Sequence, residues 1–145
     1  MDVNELKVFP ELSELTGNDR QDLLEFAEFQ QLGEGRRIRS MGTEAEGLVL
    51  VASGRIRLEV GPSRPTQILE APIALGGHSL ISVGPALATV IADTPCSVWR
   101  LDRPAYRRLV DDRPRVACRL LEGILAQSAF IGRRLIGTSE SDYTA

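Results

Sequence analysis

Histidine and cysteine are nearly absent from this chain of 145 residues, which carries one histidine, His78, and two cysteines, Cys96 and Cys118. Zinc sites and multi-histidine cupin-type centres need several imidazoles or closely spaced thiols, so no metal and no cofactor is expected. Both cysteines sit in apolar stretches with nothing nearby to lower a thiol pKa, and they read as reduced core residues of a cytoplasmic protein. Long hydrophobic runs are missing too. Met1 to Pro10 intersperses Asp2, Asn4, Glu5 and Lys7 among its apolar residues, so neither a signal peptide nor a membrane span is expected. A basic stripe is also lacking. The net charge is −3 and the arginines and lysines are scattered, which sets DNA binding aside.

What is present is an ordinary globular composition, 43% hydrophobic and 26% charged. A chain of this length makes one domain that buries roughly two-thirds of its unfolded surface. The first part reads as helical, with Asn18 as cap, Gln21 completing a capping box, and Leu23, Leu24, Phe26 and Ala27 as the apolar face. From Glu28 to Asp102, glycine and proline recur between short runs of Val, Ile and Leu, the rhythm of a sandwich or barrel. Arg55 to Val60 alternates charge with Ile56, Leu58 and Val60, predicting a strand with one buried face. The unbroken run Leu48 to Val51 predicts a strand covered on both faces. Gly61-Pro62-Ser63-Arg64-Pro65 is a turn into Gln67-Ile68-Leu69, and Asp93-Thr94-Pro95 turns between strands at Leu87–Ala92 and Ser97–Leu101.

Helix returns after Asp102. Asp102 with Pro104, and Asp112 with Pro114, each supply a cap and a first-turn proline. The second helix carries Ala117, Leu121, Ile124, Ser128, Ile131 and Leu135 at spacings of four and three. That stripe fits two uses, packing on its own strands or pairing with a second copy, and Leu120, Leu125 and Phe130 lie off it, directed at the strands. Residues 1–136 are read as the domain and 137–145 as a flexible polar tail.

Three segments carry a resemblance. Gly35-Arg36-Arg37-Ile38-Arg39-Ser40-Met41-Gly42 places two turn glycines around a strand, Leu48 to Ile56 contains strand, Ser53-Gly54, strand, and Asp93 to Arg103 is a last strand entering the helices. In this order they resemble the cyclic-nucleotide-binding domain of bacterial transcription regulators and cyclic-nucleotide-dependent kinases. The resemblance implies a mainly β fold with flanking α, a β-roll (double-stranded jelly roll) with an N-terminal helix and C-terminal helices.

It also implies a phosphate-binding cassette at Gly76 to Val90, a short helix between two strands. In the family, backbone N–H groups at the helix start face the phosphate, an arginine forks onto it, and a glutamate takes the ribose hydroxyl. The resemblance places that glutamate at Gly77 and that arginine at Ala86, so both anchors are gone. At about 1.5–3 kcal/mol each, their loss weakens binding roughly a hundredfold to ten-thousandfold. The candidate ligand-binding residues are therefore a degenerate set: Gly76, Gly77, His78, Ser79, Ala86, Leu87, Ala88 and Thr89. His78 reads as a partly buried side chain, and Arg55, Arg57 and Arg100 are candidates to replace the missing arginine.

The expected function is a stand-alone, non-enzymatic regulatory domain with little or no hold on cyclic nucleotides. It would act through protein contacts, as a homodimer through the C-terminal helix or in a signalling complex. The related regulators append a DNA-reading helix-turn-helix, for which this chain leaves no room, so no DNA partner is expected. The alternatives are a true receptor for a cyclic nucleotide or another anion using substitute residues and, further off, a cupin-type enzyme.

Overall fold

The computed structural model describes residues 3–128. Eight strands make up the centre: β1 Glu28–Leu32, β2 Arg37–Arg39, β3 Gly47–Ser53, β4 Arg55–Glu59, β5 Gln67–Glu70, β6 Ile73–Leu75, β7 Thr89–Ala92 and β8 Cys96–Asp102. They form two antiparallel four-stranded sheets, ordered β1-β8-β3-β6 and β2-β7-β4-β5. Short 3-10 turns at Val3–Val8 and Pro10–Leu12 and helix α1 (Gly17–Phe26) precede the sheets. Helix α2 (Arg103–Asp112) and a helix over residues 114–128, α3, follow them.

β3 shows how the sequence dictates this layering. Leu48, Val49, Leu50 and Val51 are all 3% exposed or less. Because side chains alternate across a strand, Leu48 and Leu50 join the helices in one apolar cluster with Phe9, Leu23, Leu109 and Leu120. Val49 and Val51 point between the sheets and meet Ile56, Val90 and Val98. The unbroken apolar run is thus a strand with a core on each side. Fully burying a side chain of this kind contributes about 1.5–3 kcal/mol.

Several local expectations are corrected. α1 is capped by Thr16, not Asn18: the Thr16 Oγ1 accepts from the Asp19 amide at 3.1 Å and Asp19 Oδ2 accepts from the Thr16 amide at 3.0 Å. Asp19 serves here because its carboxylate also binds Arg119 of α3 at 2.5 Å, tying the two helices together. Asp102 does cap α2, accepting from the Ala105 amide at 2.8 Å. Asp112, however, lies in α2's last turn, and Arg113 forms the break before α3. Leu87 and Ala88 precede β7 instead of belonging to it, and Val60 follows β4.

The first three positions of the stripe on α3 are used inward. Ala117 is buried and Leu121 and Ile124 pack on the helical cluster beside buried Leu120. Leu125, expected against the strands, is 70% exposed, and Cys118, expected in the core, is exposed with its Sγ 3.5 Å from Glu122 Oε1. Helical spacing explains both: once residues 117, 120, 121 and 124 face the body, 118 and 125 face away. Cys96 is buried as expected. Phe130, Ile131, Leu135 and the tail at 137–145 lie outside the described residues. No helix among the described residues is long and apolar enough to cross a membrane.

Candidate functional site

The connection from β6 to β7 passes from one sheet to the other and contains every residue of the candidate cassette except Thr89, which opens β7. It begins at Gly76, whose φ of 71° and ψ of 27° lie in the left-handed region that favours glycine. The space beside Gly76 is filled: a Cβ there would meet the Arg39 guanidinium and lie 2.8 Å from the Gly47 carbonyl oxygen. Gly77–Leu80 then forms a four-residue 3-10 turn. The short helix implied by the resemblance is therefore a single turn, too brief to sum peptide dipoles into an anion site.

The cassette is held by the loop leading into β3. The Ala86 amide donates to the Thr43 carbonyl at 2.7 Å, Gly42 donates to the Ala86 carbonyl at 2.9 Å, and Ala45 donates to the Gly84 carbonyl at 3.0 Å. Thr89 Oγ1 accepts from the Met41 amide at 3.0 Å. Arg103, half-buried at the start of α2, binds the carbonyls of Ala45 at 2.8 Å and Ser79 at 3.1 Å and pairs with Glu44 at 3.1 Å. Ser79 is buried, its amide bonded to the Gly76 carbonyl at 2.9 Å. His78 is exposed, against the expected partial burial, because it lies on the outer side of the turn whose inner side carries Ser79 and Leu80.

The two anchor positions differ from a vacant pocket. Ala86 is buried and offers only a methyl group. At Gly77 a Cβ would lie 2.8 Å from Ile124 Cγ2 and 3.2 Å from two further Ile124 atoms. α3 thus lays a branched side chain on the place where the resemblance puts a glutamate. The helix can come this close because Gly123 rests on the Glu11 backbone, where any Cβ would strike the carbonyl oxygen. Glycines at 77 and 123 are two halves of one close approach.

The arginines considered as replacements are engaged elsewhere. Arg55 Nε binds Asp93 Oδ2 at 2.9 Å, and Arg57 binds Asp93 Oδ1 at 3.2 Å and Glu59 at 3.1 Å. Alternation along β4 sends both outward while Ile56 enters the core. Arg100 Nε donates to Gln30 Oε1 at 2.8 Å, and its two terminal nitrogens lie 3.4 and 3.3 Å from the Ile38 carbonyl, so its partners lie on β1 and β2. The sequence reading missed Arg39, Arg103 and Ile124. Arg39 stood in the glycine-bracketed strand already singled out, and Ile124 in the stripe. Nothing in the sequence joined either one to Gly76 or Gly77.

Leu87 is 76% exposed, Val83 70% and Ile81 67%, so the outer side of the cassette presents apolar side chains to solvent. Among the described residues no cluster of three or more His, Cys, Asp or Glu side chains could hold a metal ion.

Comparison with known proteins bears on this geometry. The family model described as "Cyclic nucleotide-binding domain" matches residues 29–113. A cAMP-dependent protein kinase regulatory subunit of Yarrowia lipolytica is 25% identical over 112 residues, covering 74% of this chain; the match spans 28% of that longer protein. The N-terminal domain of a transcriptional regulator from Streptomyces coelicolor superposes with a TM-score of 0.72 at 23% identity, with 94% of each chain covered. The catabolite activator protein of Thermus thermophilus gives 0.73 at 20% identity, over 91% of this chain and 63% of that one. At these identities the structural likeness is one of fold.

Proposed function

The chain belongs to the cyclic nucleotide-binding domain family, and from that premise we propose that it is a regulatory domain whose cassette is closed by its own C-terminal helix. In this reading it is not an enzyme, binds cAMP and cGMP weakly or not at all, and works in the cytoplasm through protein contacts without DNA. The observation that carries it is Ile124 lying against Gly77, with the other anchor reduced to the buried methyl of Ala86. A ligand would have to displace α3 and would then find neither charged partner. Exposed apolar residues support the role of protein contacts: Ile81, Val83 and Leu87 on the cassette and Leu125 on α3 offer a partner, or a second copy of the chain, surfaces rich in transferable area.

Isothermal calorimetry with cAMP and cGMP tests the proposal. The expected result is no saturable binding below millimolar concentration. Micromolar binding of either nucleotide overturns it and establishes the receptor reading with substitute residues.

A further inference from the structure

A second concave site adjoins the first residue of the cassette, Gly76, against which the Arg39 guanidinium packs. A cleft of about 420 Å³ opens between β1, β2, the start of β3, the end of β8 and α2, and contains none of Gly76 to Thr89. That volume falls within the range of small-molecule sites, roughly 300–1,000 Å³. Arg39 and Arg100, both half-buried, reach into it, and Arg36, Arg37 and Arg108 stand exposed around it. Glu28, Glu46 and Asp102 also line it, leaving a formal excess of two positive charges.

The pairing pattern separates these arginines from others in the chain. Arg55, Arg57, Arg103, Arg113 and Arg119 each pair with a carboxylate. Among the described residues, none of the five cleft arginines does. Arg39 Nη2 donates to the Gly47 carbonyl at 2.5 Å, and Arg100 bonds to the Gln30 side-chain oxygen and the Ile38 carbonyl, all neutral acceptors. Burial pushes the Arg39 pKa down from its ordinary value, and the like charge of Arg100 adds to that push against the opposing pull of Glu46. Two neighbouring guanidinium groups held in a cleft by neutral partners keep donors for a bidentate anion.

We propose that this cleft binds a small phosphorylated molecule, with Arg39 and Arg100 gripping its phosphate and Arg36 and Arg108 steering it in. The site is independent of whether the cassette takes a cyclic nucleotide. Calorimetric titration with inorganic pyrophosphate at low salt tests it on the whole chain. Arg100→Gln is expected to weaken binding about tenfold or more, while Arg55→Gln, whose guanidinium pairs with Asp93 outside the cleft, leaves it unchanged. Should Arg100→Gln fold poorly, the exposed pair Arg36→Gln with Arg108→Gln is expected to weaken binding by a similar factor without lowering the melting temperature. Absence of saturable pyrophosphate binding by the native chain overturns the proposal. So does an equal loss in Arg55→Gln and the cleft variants, which would mean a diffuse charge effect.

Discussion

Placing a glutamate at Gly77, where the resemblance puts the family's acidic anchor, should destabilise this protein. In Gly77→Glu, the new Cβ lies 2.8 Å from Ile124 Cγ2 and 3.2 Å from two other atoms of the same side chain. Ile124 cannot swing aside cheaply, because a β-branched side chain in a helix has essentially one χ1 rotamer. α3 cannot shift either without parting from the Glu11 backbone at Gly123. Overpacking of this kind costs about 1–3 kcal/mol, and seating a carboxylate against an isoleucine adds a desolvation cost of similar order. We expect a loss of about 3 kcal/mol by urea denaturation. Ile124→Ala alone removes part of a half-buried side chain and costs about 2 kcal/mol. Combined with Gly77→Glu it relieves the clash, so the double variant should be more stable than the sum of the two losses by about 1 kcal/mol or more. If Gly77→Glu matches the native protein within about 0.5 kcal/mol, or the two changes simply add, then Ile124 does not occupy the anchor position in solution.

Gly123→Ala should cost about 2 kcal/mol or more in urea unfolding, because both sides of the contact are backbone and neither can rotate away. Asp19→Asn should destabilise by about 1–2 kcal/mol through loss of the charged bond to Arg119. Burial works to raise the Asp19 pKa, but hydrogen bonds from Thr16 and Arg119 outweigh it and hold the carboxyl below its ordinary value. A lowered folded-state pKa gives stabilisation that is complete above the unfolded value of about 3.9 and fades as pH falls through the lower folded one. The native protein's stability should therefore drop more steeply than that of Asp19→Asn on acidification below about pH 4, followed by circular dichroism. The Cys118 thiol, raised by its hydrogen bond to Glu122 and by that carboxylate's charge, should be labelled by a thiol reagent in the folded protein, faster as pH rises through the alkaline range. Cys96 should react only after unfolding.

Much of the fold was legible from residue pattern alone. Leu48 to Val51 announced a doubly covered strand because four successive apolar side chains must find two cores. Asp102 before Pro104 announced a helix start because cap chemistry is local. α1 was misplaced by two residues because Asn18 is as good an intrinsic cap as Thr16, and the choice is made by Arg119, a hundred residues away. The strands β1 and β6 carry weak signals, since Glu28–Leu32 is mostly exposed and Ile73–Leu75 is three residues long. That the positions where the resemblance puts a glutamate and an arginine carry no charge could be read from Gly77 and Ala86, yet what packs there could not. A glycine shows only that a side chain is missing. That Ile124 takes its volume depends on the path of α3, which is set by tertiary packing.

Crystals grown or soaked with millimolar cAMP put the closed cassette to the most direct test. The expected electron density shows Ile124 against Gly77 and no nucleotide between Gly77 and Ala86. A cyclic nucleotide ordered in that position, with α3 lifted from the cassette, would contradict it.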